Sequence, residues 1–316
     1  GCANLMPGSP FILERSVIVH PGATLNIINV TVSSEVIIQV QEGGTLNIIS
    51  STVSPFMQIT VFGELNAMQS TFTTSSNQPF HFQGEWNVTF DECVFNLSDA
   101  AVPAIRGFRL NLQNQPTTLF QNCTFSYTGT PVTLMSVDGA SLSIVGCTFD
   151  NVAGTGIIVN SVDEFTLVAN EFVNVQGEPV QILGAGIRTI AENHGSNNFL
   201  NAIVLGHNGN ITSAADTGLA ILSSHSTFPF VIRGELNVPP FATLEISDNS
   251  ILKFSIGGEI TVNGILNAQS VVMTSNNSSL GGVTGGNGNP QPGDWTGILV
   301  VGLTTVSSPR ARANLF

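Results

Sequence analysis

The sequence predicts an all-β chain wound as a right-handed parallel β-helix (a β-solenoid), with about 19–24 residues per coil. Three observations carry this: a short motif that returns at near-constant spacing, a second column of triplets with the same period, and a charged content of only 9%. No segment keeps a 3.6-residue period beyond two turns. Val, Ile, Thr and Phe alternate instead in short runs bounded by Gly, Pro and Asn, as strands do.

The motif is a glycine followed within a few residues by Leu-Asn. It ends at Asn26, Asn47, Asn66, Asn87 (as Gly84-Glu85-Trp86-Asn87) and, more loosely, Asn111. The steps are 21, 19, 21 and 24 residues. The second column reads Ser51-Thr52-Val53, Ser70-Thr71-Phe72, Cys93-Val94-Phe95, Cys123-Thr124-Phe125, Cys147-Thr148-Phe149 and Asn170-Glu171-Phe172, with Asn197-Asn198-Phe199 continuing it. Alternation puts the first and third residue of each triplet on one face. Phe must be inside, so the Ser/Cys/Asn column is inside too. One coil cannot bury its apolar face alone, but coils stacked about 4.8 Å apart make stripes of like residues that form a core. Parallel crossovers favour the right hand. The Leu-Asn asparagines are expected to form an inward ladder, each amide bonded to the ones above and below.

Composition bounds the function. The chain has 316 residues, 42% of them hydrophobic, and a net charge of −13 with a single lysine, Lys253. Neutral Asn, Ser, Thr, Gln and Gly replace the missing charge, as is common in extracellular repeat proteins. The acidic balance argues against nucleic acid, which needs clustered Lys and Arg, and against an anionic membrane surface. No run of about 18 apolar residues is present, so no transmembrane segment is expected. The start, "GCANLMPGSPF", lacks the basic region and apolar run of a signal peptide.

A longer repeat overlies the coil. Ile59–Ala67 matches Ile260–Ala268, 201 residues on, and each copy is followed by a Gly-acid-Trp triplet, Gly84-Glu85-Trp86 and Gly293-Asp294-Trp295. The triplets are expected at equivalent positions, with Trp86 standing where Leu25, Leu46 and Leu65 stand and both tryptophans packing into a coil corner. This divides the chain into an N-terminal lead or cap (1–15), a first β-helix unit (16–228) and a second, incomplete unit (229–316). The solenoid is expected to continue in a longer protein or to be completed by another chain.

The stretch from Phe230 to Val300, "VIRGELNVPPFATLEISDNSILKFSIGGEITVNGILNAQS" followed by a Gly/Asn loop and "PGDWTGILV", resembles the right-handed parallel β-helix repeats of large secreted and cell-surface bacterial proteins. By fold it is similar to the broader pectin-lyase-like superfamily. The resemblance implies a surface or secreted location, modular repetition and often no enzymatic activity. In such repeats the loop before Gly-Asp-Trp is richer in aspartate; here no carboxylate precedes Asp294 in that loop.

Candidate sites are few. Cys93, Cys123 and Cys147 fall in one inward column, where spacing favours free thiols as small apolar fillers over a bridged neighbouring pair. His20, His81, His194, His207 and His225 show no metal spacing, although His194 and His207 are expected on adjacent coils. Asp163 and Glu164, with Arg188 and Glu192 about one coil later, are the weak catalytic candidates, an acidic-basic patch of the kind glycan-cleaving enzymes need. As strand neighbours, Asp163 and Glu164 should point to opposite faces. No Asp-Asp pair, Asp-x-Asp or Gly-x-Ser-x-Gly occurs. Asn-x-Ser/Thr sequons in so Asn- and Thr-rich a chain are not read as glycosylation.

No cofactor is therefore expected. Calcium is compatible with the charge but lacks converging carboxylates. The residues favour an extracellular or cell-surface structural or adhesive protein, a subunit of a self-assembling fibre or layer, over an enzyme. Its partners would be copies of itself, neighbouring surface proteins or glycans. The rival is a polysaccharide lyase, glycoside hydrolase or glycan-binding module on the same fold. The Gly/Asn loop before Trp295 is expected to protrude.

Overall fold

The computed structural model describes residues 1–5, 10–74, 80–83, 87–97, 105–108, 117–128, 135–206, 211–214, 217–282, 284–286, 288–301 and 306–307. Its described regular structure is all strand. Contacts divide the chain into two compact units, Gly1–Gly156 and Ile157–Phe316. This division follows packing, and the repeat boundary near Pro229 falls inside the second unit.

The first unit is built from three parallel ladders. One stacks Cys2–Leu5, Thr24–Ile28, Thr45–Ile49, Glu64–Met68, Val88–Asp91, Thr117–Gln121 and the end of Met135–Val145. A second begins with Phe11–Leu13 and the start of Thr31–Val40 and runs through Thr52–Val61, Thr71–Thr74, Val94–Leu97, Thr124–Tyr127 and Thr148–Val152. The third joins Val17–Val19, the ends of Thr31–Val40 and Thr52–Val61, Phe80–Gln83, Ile105–Phe108 and the start of Met135–Val145. Residues 1–15 contribute rungs of their own, Cys2–Leu5 and Phe11–Leu13.

Between the first and second ladders the chain turns on one residue with positive φ: Asn29, Ser50, Gln69, Glu92, Asn122 or Gly146. This conformation costs a non-glycine residue about 1 kcal/mol. Stacking offsets it, because the turn residue's N–H finds the next coil: Ser50 bonds Met68 O at 3.0 Å and Gln69 bonds Asp91 O at 2.9 Å. The residue after each turn is the inward Ser/Cys column. Ser51 Oγ donates to Ile49 O and accepts from Val30 N, and Ser70 Oγ likewise serves Met68 O and Ser51 N.

Phenylalanine fills the space beneath. Phe72, Phe95, Phe125 and Phe149 are fully buried and stack rung on rung, with centroids 5.2, 4.6 and 4.8 Å apart. Phe90 and Phe120 form a second stack at 5.1 Å. Burying each ring contributes about 2–3 kcal/mol.

The Leu-Asn column has the opposite orientation to the one expected. Leu25 and Ile27, Leu46 and Ile48, and Leu65 and Ala67 are buried, while Asn26, Asn47 and Asn66 are only partly so. Period-two alternation allows nothing else once Leu is inside. The ladder is nonetheless made, along the outer face: Asn26 donates to Asn4 at 2.6 Å, Asn47 to Asn26 at 2.7 Å and Asn66 to Asn47 at 3.3 Å. Asn87 is not in it. Val88 pairs with Leu65 and Thr89 with Asn66, so the strand has slipped two residues against the motif. Asn87 is exposed and accepts from Thr117 N. Trp86 and Asn111 lie outside the described residues.

The second unit repeats the plan. Ile157–Val168, Ala185–Ser196, Thr217–Ser224, Phe241–Ile246 and Ile265–Ala268 form one ladder. Val180–Ile182, Ile203–Leu205, Phe230–Ile232, Ile251–Phe254 and Val272–Ser275 form another. A third holds Ile211–Ala214, Glu235–Val238, Glu259–Val262 and Gly297–Val300. Asn170 and Asn193 take the inward turn position, with Asn170 Nδ2 donating to Asn193 Oδ1 at 3.0 Å.

The inward column thus continues at Asn193 rather than at Asn197, which is exposed, and Phe199 is 80% exposed. Gly195 is the register partner of buried Phe172. The Phe228 ring fills the place a side chain would take there, stacking on Phe172 at 5.9 Å. A Cβ at Gly195 would meet that ring at 2.3 Å.

The long repeat survives in the backbone. A Cβ at Gly63 would lie 2.4 Å from Gln41 O, and one at Gly264 would lie 2.2 Å from Pro239 O. Both glycines let one coil touch the next.

Candidate functional site

Of the two Gly-acid-Trp triplets, Gly293-Asp294-Trp295 is described and Gly84-Glu85-Trp86 lies outside the described residues. Phe80–Phe82 pairs with Ile59–Val61, and Ile298–Val300 pairs with Ile260–Val262. In chain order Gly84-Glu85-Trp86 comes after the strand of that ladder and Gly293-Asp294-Trp295 before it.

Around the second triplet the described residues form a cleft of about 360 Å³, lined by Arg233, Ile256, Asn276, Asn277 and Asp294 among others. Trp295 is half-buried and stacks on buried Phe254, with centroids 4.2 Å apart. The Asp294 carboxylate accepts from Ser275 Oγ at 2.6 Å, Gln291 N at 2.8 Å and Asn277 Nδ2 at 2.9 Å. These donors, Ser275 first, hold its carboxyl below the usual carboxylate range. Arg233 forms an ion pair with Glu178.

The first part of the loop before the triplet folds back onto Ile251–Phe254 through Ser278 and Gly282, while residues 288–293 are exposed. Leu200, Ala202, Val204 and Val231 form a buried apolar cluster, and Thr284 of the loop is 1% exposed. Lys253, also fully buried, donates from Nζ to Ser278 O at 2.8 Å and Gly282 O at 2.5 Å. Burial pushes its ammonium down to about 8.

This loop anchor escaped the sequence reading. The available signal was that "IVL", "FVI" and "ILKF" are unbroken apolar runs rather than alternations, as strands covered on both faces are.

The weak catalytic candidates separate. Glu164 and Arg188 form an ion pair at 2.5 Å, both about one-third exposed. Asp163 is exposed and Glu164 partly so, because register shifts around Phe165 interrupt the alternation and leave neither carboxylate in the core. Glu192 sits at an exposed positive-φ turn position. Among the described residues no three His, Cys, Asp or Glu side chains converge on a metal position.

Cys93, Cys123 and Cys147 are buried free thiols that make serine-like bonds. Cys123 Sγ contacts Gln121 O at 3.2 Å, and Cys123 N donates to Cys147 Sγ at 3.4 Å. The Cys93 thiol is pushed up by its hydrogen bond to Cys123 and by burial. The Cys123 thiol is pushed up to about 12, chiefly by its bond to Cys147, while Cys147 is lowered by receiving that bond.

Phe172 is fully buried. His194 lies beside His225, and His207, its expected neighbour, is outside the described residues.

Compared with known proteins, residues 15–193 match the family model described as a right handed beta helix region. Neither the curated proteins nor the solved structures give a match.

Proposed function

The chain belongs to the right-handed β-helix family, and from that premise we propose that it is an extracellular structural or adhesive protein that assembles with copies of itself or with neighbouring surface proteins. The observation that carries this reading is where the polar side chains spend their hydrogen bonds. Asn26, Asn47 and Asn66 bond coil to coil on the outside. Ser51, Ser70, Asn170 and Asn193 do so at the turns, and Asn263 donates to Asn237 further on. Such ladders stiffen a scaffold and leave few groups pointed at a ligand.

The test is electron microscopy of the native material, paired with turnover assays on acidic polysaccharides with and without calcium. Fibres or a surface layer without turnover are expected. Monomers at high concentration that cleave a polysaccharide would replace this reading with the enzymatic one. A glycan-binding role has one observation in its favour, the cleft where Arg233, Asn276 and Asn277 gather beside Asp294. Saturable glycan binding without cleavage, lost in Asn276→Ala, would establish it.

A further inference from the structure

His194 and His225, separated by 31 residues in the chain, meet on the outside of the second unit. Their ring centres are 4.6 Å apart and their planes inclined at 61°. Both side chains are exposed. They follow Asn193 and Ser224, which are register partners, so they occupy one outward column. Glu171 precedes them in that column, in register with His194.

The second histidine is held in place. His225 bridges to Phe228, whose ring is locked over Gly195 and against Phe172. Asn201 Nδ2 donates to Thr227 O at 2.7 Å, fixing the turn between them. His225 Nδ1 lies 3.0 Å from Thr227 Oγ1.

We propose that His194 and His225 form a two-histidine site for a first-row divalent transition metal, with water in the remaining positions. The separation fits. A metal about 2.1 Å from two cis imidazole nitrogens places the ring centres roughly 4.6 Å apart. Binding calls for the Nδ1 tautomer of His225: Nδ1, which accepts from Thr227 N at 3.3 Å, gives up that bond and donates instead to Thr227 Oγ1, leaving the Nε2 lone pair for the metal. Imidazole nitrogen selects Cu, Ni and Zn over Ca and Mg. Glu171 and the net charge of −13 favour a cation nearby.

The experiment uses the untagged full chain and Ni²⁺ in calorimetry at neutral pH, with Cu²⁺ electron paramagnetic resonance as a second readout. One Ni²⁺ per chain and two nitrogen couplings to Cu²⁺ are expected. His194→Ala and His225→Ala should each weaken Ni²⁺ binding by more than about tenfold and leave one coupling, and Thr227→Val should weaken it about tenfold. His20→Ala, which removes an exposed histidine bonded to Gln41, should change nothing. Circular dichroism and metal-free unfolding midpoints check that each variant folds, and His225→Asn replaces any that does not. Wild-type binding no tighter than that of the folded double variant, or a full signal surviving in His225→Ala, would overturn the proposal.

Discussion

Val88 lies in register with Leu65 on the preceding coil, and both side chains are buried. Val88 therefore carries the core position of its coil, while Asn87 beside it is exposed and its side chain accepts from Thr117 N. Val88→Ala should cost about 2 kcal/mol through the cavity it leaves. Asn87→Ala should cost about 1 kcal/mol or less. Urea unfolding of the two variants side by side measures the difference, and equal costs would contradict the register.

Asn47 donates to Asn26 and accepts from Asn66. Asn47→Ala removes both bonds from a half-buried site and should destabilise by about 1–2 kcal/mol. Asn47→Asp should be worse. A carboxylate has no N–H for Asn26, and it would stand near Glu64, which already shares the Asn66 amide. Unfolding midpoints at pH 7 and pH 3 separate the two effects, since the added charge acts only at the higher pH.

The buried thiols should behave as serines. Cys123→Ser keeps a donor for Gln121 O and should change stability by less than about 1 kcal/mol. Cys123→Ala removes that donor and should cost about 1–3 kcal/mol. Burial and raised pKa values keep Cys93 and Cys123 from forming thiolate at neutral pH. A thiol reagent should label both in denaturant and neither in buffer, as mass spectrometry of the labelled peptides would read.

What was legible in the sequence depended on whether a signal was repeated. The Ser/Cys/Asn column could be placed inside because five of its copies end in Phe, from Phe72 to Phe172, and Phe admits only one face. The Asn ladder was visible as a period but its face was mistaken, since Leu and Asn alternate and only one of them can turn inward. Matching Trp86 to Leu65 failed because a two-residue slip preserves which face a side chain takes, so periodicity cannot detect it. Gly195 and Phe228 were invisible for a different reason: a residue from outside the column fills the hole, and no local pattern records that. The meeting of His194 with His225 likewise depends on coil length, which varies too much from coil to coil to pair residues one turn apart.

Lys253 offers a test of the folded-back loop. Its pKa of about 8 lies below the ordinary 10.5 because burial disfavours the ammonium. Between those values the unfolded chain binds more protons than the folded one, so stability should rise with pH from about 8 to about 10.5. The cost relieved is of the order of 3 kcal/mol; below that window it is fully present, and above it nothing more is gained. Lys253→Met should lack this rise. It also leaves Ser278 O and Gly282 O without their donor, so the loop should open and be cleaved faster by protease. The difference in urea midpoint between wild type and variant at pH 7, 9 and 10.5 isolates this residue from other alkaline titrations. A difference that stays constant across that range would mean the amine is not held where burial disfavours its charge.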